Sequence, residues 1–317
     1  MAARHNSLHL TAQTVEARAQ QAISRSVETS ERLALLQEKT GCTLPFPFNA
    51  PATRAALERL PAQILRVTDA LHQSLEPERR ALRSGTLRGE LFKTYLNALI
   101  AAEPKDHAYG SHADRIVDLL LETEEAAETQ SLLHGTHHYT PTPVKLIPKL
   151  VEVGQLSQHD HVKDLGCGNG RLLALLHLMT GCRGSGVEIL EGLSLQGEKL
   201  LRKNNLSSLS IRAGNALHEN LSDATAVVLY APFYASMFRT AVDGFEERAS
   251  AGNFRIVLHG PMETFLDESP RFLRHPSSGA IRRYDAIGEQ PLDLAQVCAD
   301  LIPPANPIRP SSRKIRS

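Results

Sequence analysis

The chain has 317 residues, 42% of them hydrophobic, with Lys plus Arg and Asp plus Glu balanced at 35 each. That length allows two domains, or one domain with a large extension, around a substantial core, and the balance excludes a global field that would steer the protein onto nucleic acid. The four cysteines, Cys42, Cys167, Cys182 and Cys298, lie far apart with no C-x-x-C pair, so neither a disulfide framework nor a zinc module is indicated.

The opening Met-Ala-Ala-Arg-His-Asn lacks a charged region followed by an apolar core, and no apolar run approaches the roughly eighteen residues that span a bilayer. A cytoplasmic protein with no membrane partner is expected; an effector exported without a cleaved leader would have the same signature. Residues 1–133 are rich in Ala, Leu, Glu, Gln and Arg with apolar positions at helical spacing, which predicts an all-helical N-terminal domain. Val15 to Lys39 reads as a helix stopped at Gly41, and Leu44-Pro-Phe-Pro-Phe-Asn-Ala-Pro51 as a rigid connector. Thr53 to Leu75 follows, with Pro61 as a kink or restart. Thr86 precedes a helix over Leu87 to Ala102, and Ser111 to Thr129 closes the domain with Ile116, Val117, Leu119, Leu120 and Leu121 as its apolar set. The acidic run Glu122, Glu124, Glu125 and Glu128 reads as the solvated face of that last helix.

His134-Gly-Thr-His-His-Tyr139-Thr140-Pro-Thr142-Pro-Val144 breaks the helical pattern, because each proline lacks an amide donor and restricts its predecessor. It marks a boundary, and a second domain is expected over 134–301. His134, His137 and His138 have no carboxylate or cysteine at ligand spacing, so no metal is expected there. A helix from Val144 to Val153 leads into the strand His161-Val162-Lys163. That strand ends in Asp164-Leu165-Gly166-Cys167-Gly168-Asn169-Gly170, followed at once by an apolar helix, Arg171 to Thr180. Closely spaced glycines at a strand-to-helix turn let a ligand approach the main chain without Cβ interference. Arg171 stands where the dinucleotide fingerprint needs its last glycine, which disfavours a nicotinamide or flavin. Asp164 at the strand end suits a ligand with a positive amino group. The next strand, Arg183 to Glu188, ends in an acid roughly twenty residues after the loop, where a ribose diol is gripped.

A helix over Leu193 to Asn204 and a third strand from Leu209 to Leu217 come next, so strands alternate with helices and predict a parallel sheet with right-handed crossovers. Ligands in such a sheet lie beyond the C-terminal strand ends, where Asn215 and Ala216 fall. Ala224 to Tyr230 is apolar throughout and reads as a buried central strand. It delivers Ala231-Pro232-Phe233-Tyr234 to the same rim. A helix from Ala235 to Arg248, a strand from Phe254 to Gly260 and a loop from Pro261 follow. Closing antiparallel strands are expected around Ile281 to Ile287, then a short helix over Leu292 to Leu301. The tail, 302–317, is basic and proline-rich and is expected to be disordered.

The loop Asp164 to Gly170 with Glu188 resembles the class I S-adenosylmethionine-dependent methyltransferases, which have a Rossmann-like α/β sheet with helices on both faces. The resemblance implies that S-adenosylmethionine is the cofactor. It implies that the loop residues Asp164, Gly166, Gly168 and Gly170 wrap its methionine part, that Glu188 takes both ribose hydroxyls, and that Asn215 and Ala216 meet the adenine. Tyr139, Thr140 and Thr142 would form a flap over it, and Tyr230 would adjoin both cofactor and acceptor. Methyltransferases acting on base amines resemble [Asp/Asn/Ser]-Pro-Pro-[Tyr/Phe] after the central strand; Ala231 cannot accept the amine hydrogen. The run from Tyr139 to Pro261 instead resembles the non-SET lysine methyltransferases, namely the disruptor-of-telomeric-silencing type and the related mitochondrial seven-strand enzymes. It departs from the former in having Ala231-Pro232-Phe233 where they have an Asn-Asn-Phe-like segment. The resemblance implies a protein-lysine substrate, with Tyr230, Phe233 and Tyr234, beside Tyr139, lining the acceptor channel. A small-molecule or RNA methyltransferase, or a binding module that keeps the cofactor without catalysis, are the alternatives.

Overall fold

The computed structural model describes residues 10–40, 62–104, 111–123, 139–230, 235–251, 254–260, 263–277 and 279–287. The connector 44–51, the three histidines of 134–138, Phe233, Tyr234, the helix expected at 292–301 and the tail lie outside them.

Among the described residues the N-terminal part holds α1 (Ala12–Thr40), α2 (Ala62–Ser74), α3 (Glu76–Arg83), α4 (Glu90–Ala101) and α5 (His112–Leu121). In α1 the buried positions Val15, Ala19, Ala22, Ile23, Ser26, Thr29, Ser30 and Leu33 each have another three or four residues away, so one stripe faces inward. α3 is a helix that the periodicity does not isolate; Pro77 sits in its first turn, where a missing amide donor is harmless. α4 begins at Glu90, three residues later than expected, because Gly89 adopts φ +59 ahead of it. Ser111 caps α5 by accepting from the Asp114 amide at 3.1 Å. The helix stops at Leu121, because Glu122 turns left-handed at φ +53. Glu122 is therefore not part of a solvated helix face: it caps the helix and pairs with Arg83 and, at 3.0 Å, with Lys203. Glu124, Glu125 and Glu128 lie outside the described residues.

A short 3-10 turn (Val144–Leu146) and α6 (Ile147–Gly154) lead to the sheet. Its elements are β1 (His161–Leu165), α7 (Arg171–Thr180), β2 (Arg183–Glu188), α8 (Glu191–Lys203), β3 (Leu209–Ala213), β4 (Ala226–Tyr230), α9 (Ala235–Ser250), β5 (Arg255–His259), α10 (Glu263–Asp267), β6 (Phe272–Arg274) and β7 (Ile281–Ala286). The third strand ends at Ala213 rather than Leu217, because Asn215 opens a 3-10 turn over Ala216–His218. The seven strands lie in the order β3-β2-β1-β4-β5-β7-β6, with β7 antiparallel to β5 and β6 antiparallel to β7. β6 is an antiparallel partner upstream of the region where such strands are expected.

Side-chain alternation divides the core between the two sheet faces. Val162, Ala226, Val228 and Val257 join the N-terminal helices and α7 in one apolar cluster. Leu165, Val187, Val227, Leu229, Ile256 and Leu258 join α9 in the other. Every residue of α7 from Arg171 to Met179 is buried, which a helix on an open sheet face would not be. The N-terminal helices cover its outer side, and the Gly89 amide donates to the Leu178 carbonyl of α7 at 2.8 Å.

Candidate active site

β1 and β4 are neighbours although β2 and β3 lie on the other side of β1, so chain direction across the sheet reverses there. A crevice at the C-terminal strand ends forms at such a switch point. The loop 166–170 occupies it. Gly166, Gly168 and Gly170 all have positive φ, at 82°, 55° and 73°. A Cβ on Gly168 would lie 2.2 Å from the Tyr139 ring, and one on Gly170 would lie 2.1 Å from Ile211 Cδ1. Only bare backbone fits there. The Gly166 and Cys167 amides donate to the Val187 carbonyl at 2.9 and 3.1 Å, tying the loop to β2.

Glu188 ends β2 beneath this loop. Its Oε2 accepts from the Gly168 amide at 2.8 Å and its Oε1 from the Leu190 amide at 3.0 Å. Each carboxylate oxygen keeps a lone pair for a further donor. The Gly214 amide donates to the Glu188 carbonyl at 2.9 Å, which brings Asn215 to the same rim. Asn215 is exposed and its Oδ1 accepts from the Leu217 amide at 3.0 Å, so the side chain caps the turn that carries Ala216.

Asp164, at the end of β1, is buried, and its Oδ2 has no hydrogen-bond partner among the described residues. Burial, helped by the nearby Glu188 charge, pushes its carboxyl up to about 7. A buried acceptor left unpaired is costly unless a ligand supplies the donor. Cys167 is buried as well, and burial raises its thiol well above the ordinary range, so it is not a nucleophile.

Tyr139 folds over the loop, its hydroxyl donating to Asn169 Oδ1 at 2.7 Å. Thr142 is buried and Thr140 exposed on the same segment. The segment is anchored where the Val144 amide donates to Asp114 Oδ1 at 3.0 Å. Asp114 and Asp118, one turn apart on α5, both pair with Arg171, the residue that follows the last glycine. Burial drives the Asp118 carboxyl up to about 7 even though Arg171 opposes the shift. Sequence reasoning treats Arg171 only as a missing glycine and does not single out Asp114 or Asp118. Two acids four residues apart, on the same face of the helix, are the one local signal.

Tyr230 ends β4, beside His259 at the end of β5, and their rings stack with centroids 4.6 Å apart and planes 18° apart. Burial raises the Tyr230 hydroxyl, and Asp114 adds to this. The strand-end rule that selects Asn215 also selects His259, which the motif-based reading passes over.

No family model matches the chain. A curated protein-lysine N-methyltransferase of Saccharolobus islandicus (strain REY15A) is 31% identical over 99 residues, which is 29% of this chain and 58% of that protein. The chain thus spans little more than half the length of that relative. Among solved structures, an RNA methyltransferase from Salinibacter ruber in complex with S-adenosyl-L-homocysteine is 22% identical, with a TM-score of 0.39 over 49% of this chain and 97% of that one. Geranyl diphosphate C-methyltransferase from Streptomyces coelicolor A3(2) is 13% identical, with a TM-score of 0.37 over 45% of this chain and 76% of that one. Parallel strands ordered 3-2-1-4-5, closed by an antiparallel pair and entered through a glycine turn at the switch point, give this chain the seven-strand, Rossmann-like fold of the class I S-adenosylmethionine-dependent methyltransferases.

Proposed function

We propose that this protein transfers a methyl group from S-adenosylmethionine to the side-chain amine of a protein lysine. The observation that carries the reading is the buried Oδ2 of Asp164, without a partner among the described residues, beneath three positive-φ glycines. A zwitterionic ligand with an ammonium group satisfies that oxygen, and the bare loop lets its backbone approach. The free lone pairs of Glu188 suit two ribose hydroxyls, and Asn215 and Ala216 lie where adenine would rest. Tyr139, with Thr140 and Thr142 on its segment, closes over the loop and keeps water out.

When bound, S-adenosylmethionine supplies a sulfonium methyl open to in-line displacement, which requires a nucleophile held in line rather than a nucleophilic side chain of the protein. Tyr230, with Phe233 and Tyr234 just beyond it in sequence, supplies aromatic walls for the acceptor. Lysine in water has a pKa near 10.4, and its ammonium form has no lone pair; entry into a channel of low polarity releases the proton. The protein-lysine acceptor is supported by the similarity to the Saccharolobus protein-lysine N-methyltransferase and by Ala231, whose methyl group cannot accept a hydrogen from a base amine.

The test is the labelled methyl donor mixed with the purified protein and a cell extract. Label should enter material that protease destroys and ribonuclease spares, and acid hydrolysis should return methyllysine. Label lost to ribonuclease, or confined to small molecules, overturns the acceptor. Tight donor binding with no label in any fraction favours a non-catalytic module.

A further inference from the structure

The cofactor residues occupy the rim at β1, β2 and β3, while the rim at β4 and β5 carries two aromatic rings, of which only Tyr230 has a role so far. By alternation, Asp164, Tyr230 and His259 share the sheet face of Val162, Val228 and Val257, the face covered by the helices. His259 is cross-strand neighbour to Tyr230 on one side and to Ile281 of β7 on the other. Its imidazole therefore sits between a phenol ring and an apolar side chain. Among the described residues its enclosed Nδ1 has no hydrogen-bond partner in another residue, and Nε2 makes no hydrogen bond. Burial holds the imidazole below its ordinary range, its own main chain opposing, so it is neutral at pH 7 and carries one nitrogen lone pair.

We propose that His259 is a positioning residue for the methyl acceptor: held flat against Tyr230, its Nε2 accepts a hydrogen bond from an N–H of the attacking nitrogen. This rests on the methyltransferase reading above. A primary amine that has shed its ammonium proton has two N–H bonds and one lone pair. Fixing one N–H on His259 aims the lone pair at the methyl carbon. The lone pair then forms the N–C bond as the C–S bond breaks and its electron pair returns to sulfur. The resulting methylammonium gives a proton to bulk water.

The test uses the full chain, the labelled donor and the unfractionated extract, with donor affinity measured separately by calorimetry. His259→Phe keeps a flat ring against Tyr230 but removes the acceptor; His259→Gln keeps an acceptor oxygen. For the loss of one hydrogen bond aimed at the reacting nitrogen, His259→Phe should slow label transfer by about 10- to 100-fold and His259→Gln by no more than about fivefold, each with donor affinity within about twofold of the parent. Parental rates in His259→Phe, or equal losses in both variants, overturn the proposal while leaving the methyltransferase reading intact. Weakened donor binding in His259→Phe places the residue on the cofactor and also overturns it. A parent that labels nothing overturns the methyltransferase reading, and this proposal with it.

Discussion

Arg171 Nε lies 3.0 Å from Asp118 Oδ1, across the boundary between a helix of the N-terminal layer and the helix that opens from the glycine loop. Asp114 holds the same guanidinium and also the Val144 amide at the base of the Tyr139 segment. One buried cation thus joins the helical layer, the flap and the glycine turn.

Arg171→Ala should leave the buried Asp118 and the half-buried Asp114 without their shared counterion. Breaking a buried pair in this way costs about 3–5 kcal/mol, read as a lowered urea midpoint. Arg171→Lys restores charge but not the fork that reaches both acids, so it should recover part of that loss. Full stability in Arg171→Ala would show that Asp114 and Asp118 find other partners.

The Asp164 carboxyl, pushed up to about 7, fixes a pH dependence. In the unfolded chain an aspartate ionises near 3.9, so between roughly pH 4 and 7 the unfolded state holds fewer protons and stability falls as pH rises, flattening above about 7. Asp164→Asn should flatten that slope in denaturant titrations at pH 5, 6 and 7. Donor binding should run the other way, because an ammonium ligand needs the ionised carboxylate: affinity should rise toward pH 7 with proton release. Calorimetry at pH 6 in two buffers of different ionisation enthalpy measures this, and identical heats would refute it.

Gly168→Ala places a methyl group 2.2 Å from the Tyr139 ring and forces a left-handed φ on a residue with a Cβ. A cost of about 1–2 kcal/mol in stability, with the flap displaced and donor affinity down by about tenfold or more, is expected. Tyr139→Phe, which removes only the hydrogen bond to Asn169, should have a smaller effect, about 1 kcal/mol. Thermal melts and donor titrations of the two variants decide the order; a milder Gly168→Ala would contradict it.

Because α7 is buried on all sides, the helical layer and the sheet should unfold together. Leu173→Ala, at full burial, should cost about 2–5 kcal/mol and shift far-ultraviolet and near-ultraviolet transitions equally. Residues 134–317 expressed alone should expose the outer side of α7 and bind an apolar dye. A well-folded 134–317 would establish two independent domains.

The glycine turn and the acid beside it were legible because their geometry is local. Three glycines in five residues require positive φ, a strand must end before them, and an acid at the end of the next strand lies beside them whatever else the chain does. Alternation of apolar runs with helical spacing sufficed for the parallel sheet. Boundaries went astray where one residue's backbone decided them: Gly89 delays α4, Glu122 stops α5, and Asn215 turns the chain out of β3.

The sequence by itself determined the glycine turn, the acid that faces it and the order of strands and helices, since backbone conformation and side-chain periodicity are properties of a few consecutive residues. Only the tertiary structure decided that Arg171 meets acids more than fifty residues upstream, that Tyr139 lies on Gly168, and that Tyr230 stacks on His259. Those pairings depend on how the helices pack over one sheet face and on which strands become neighbours. Both are set by burial of the whole apolar surface, which no short window of residues encodes.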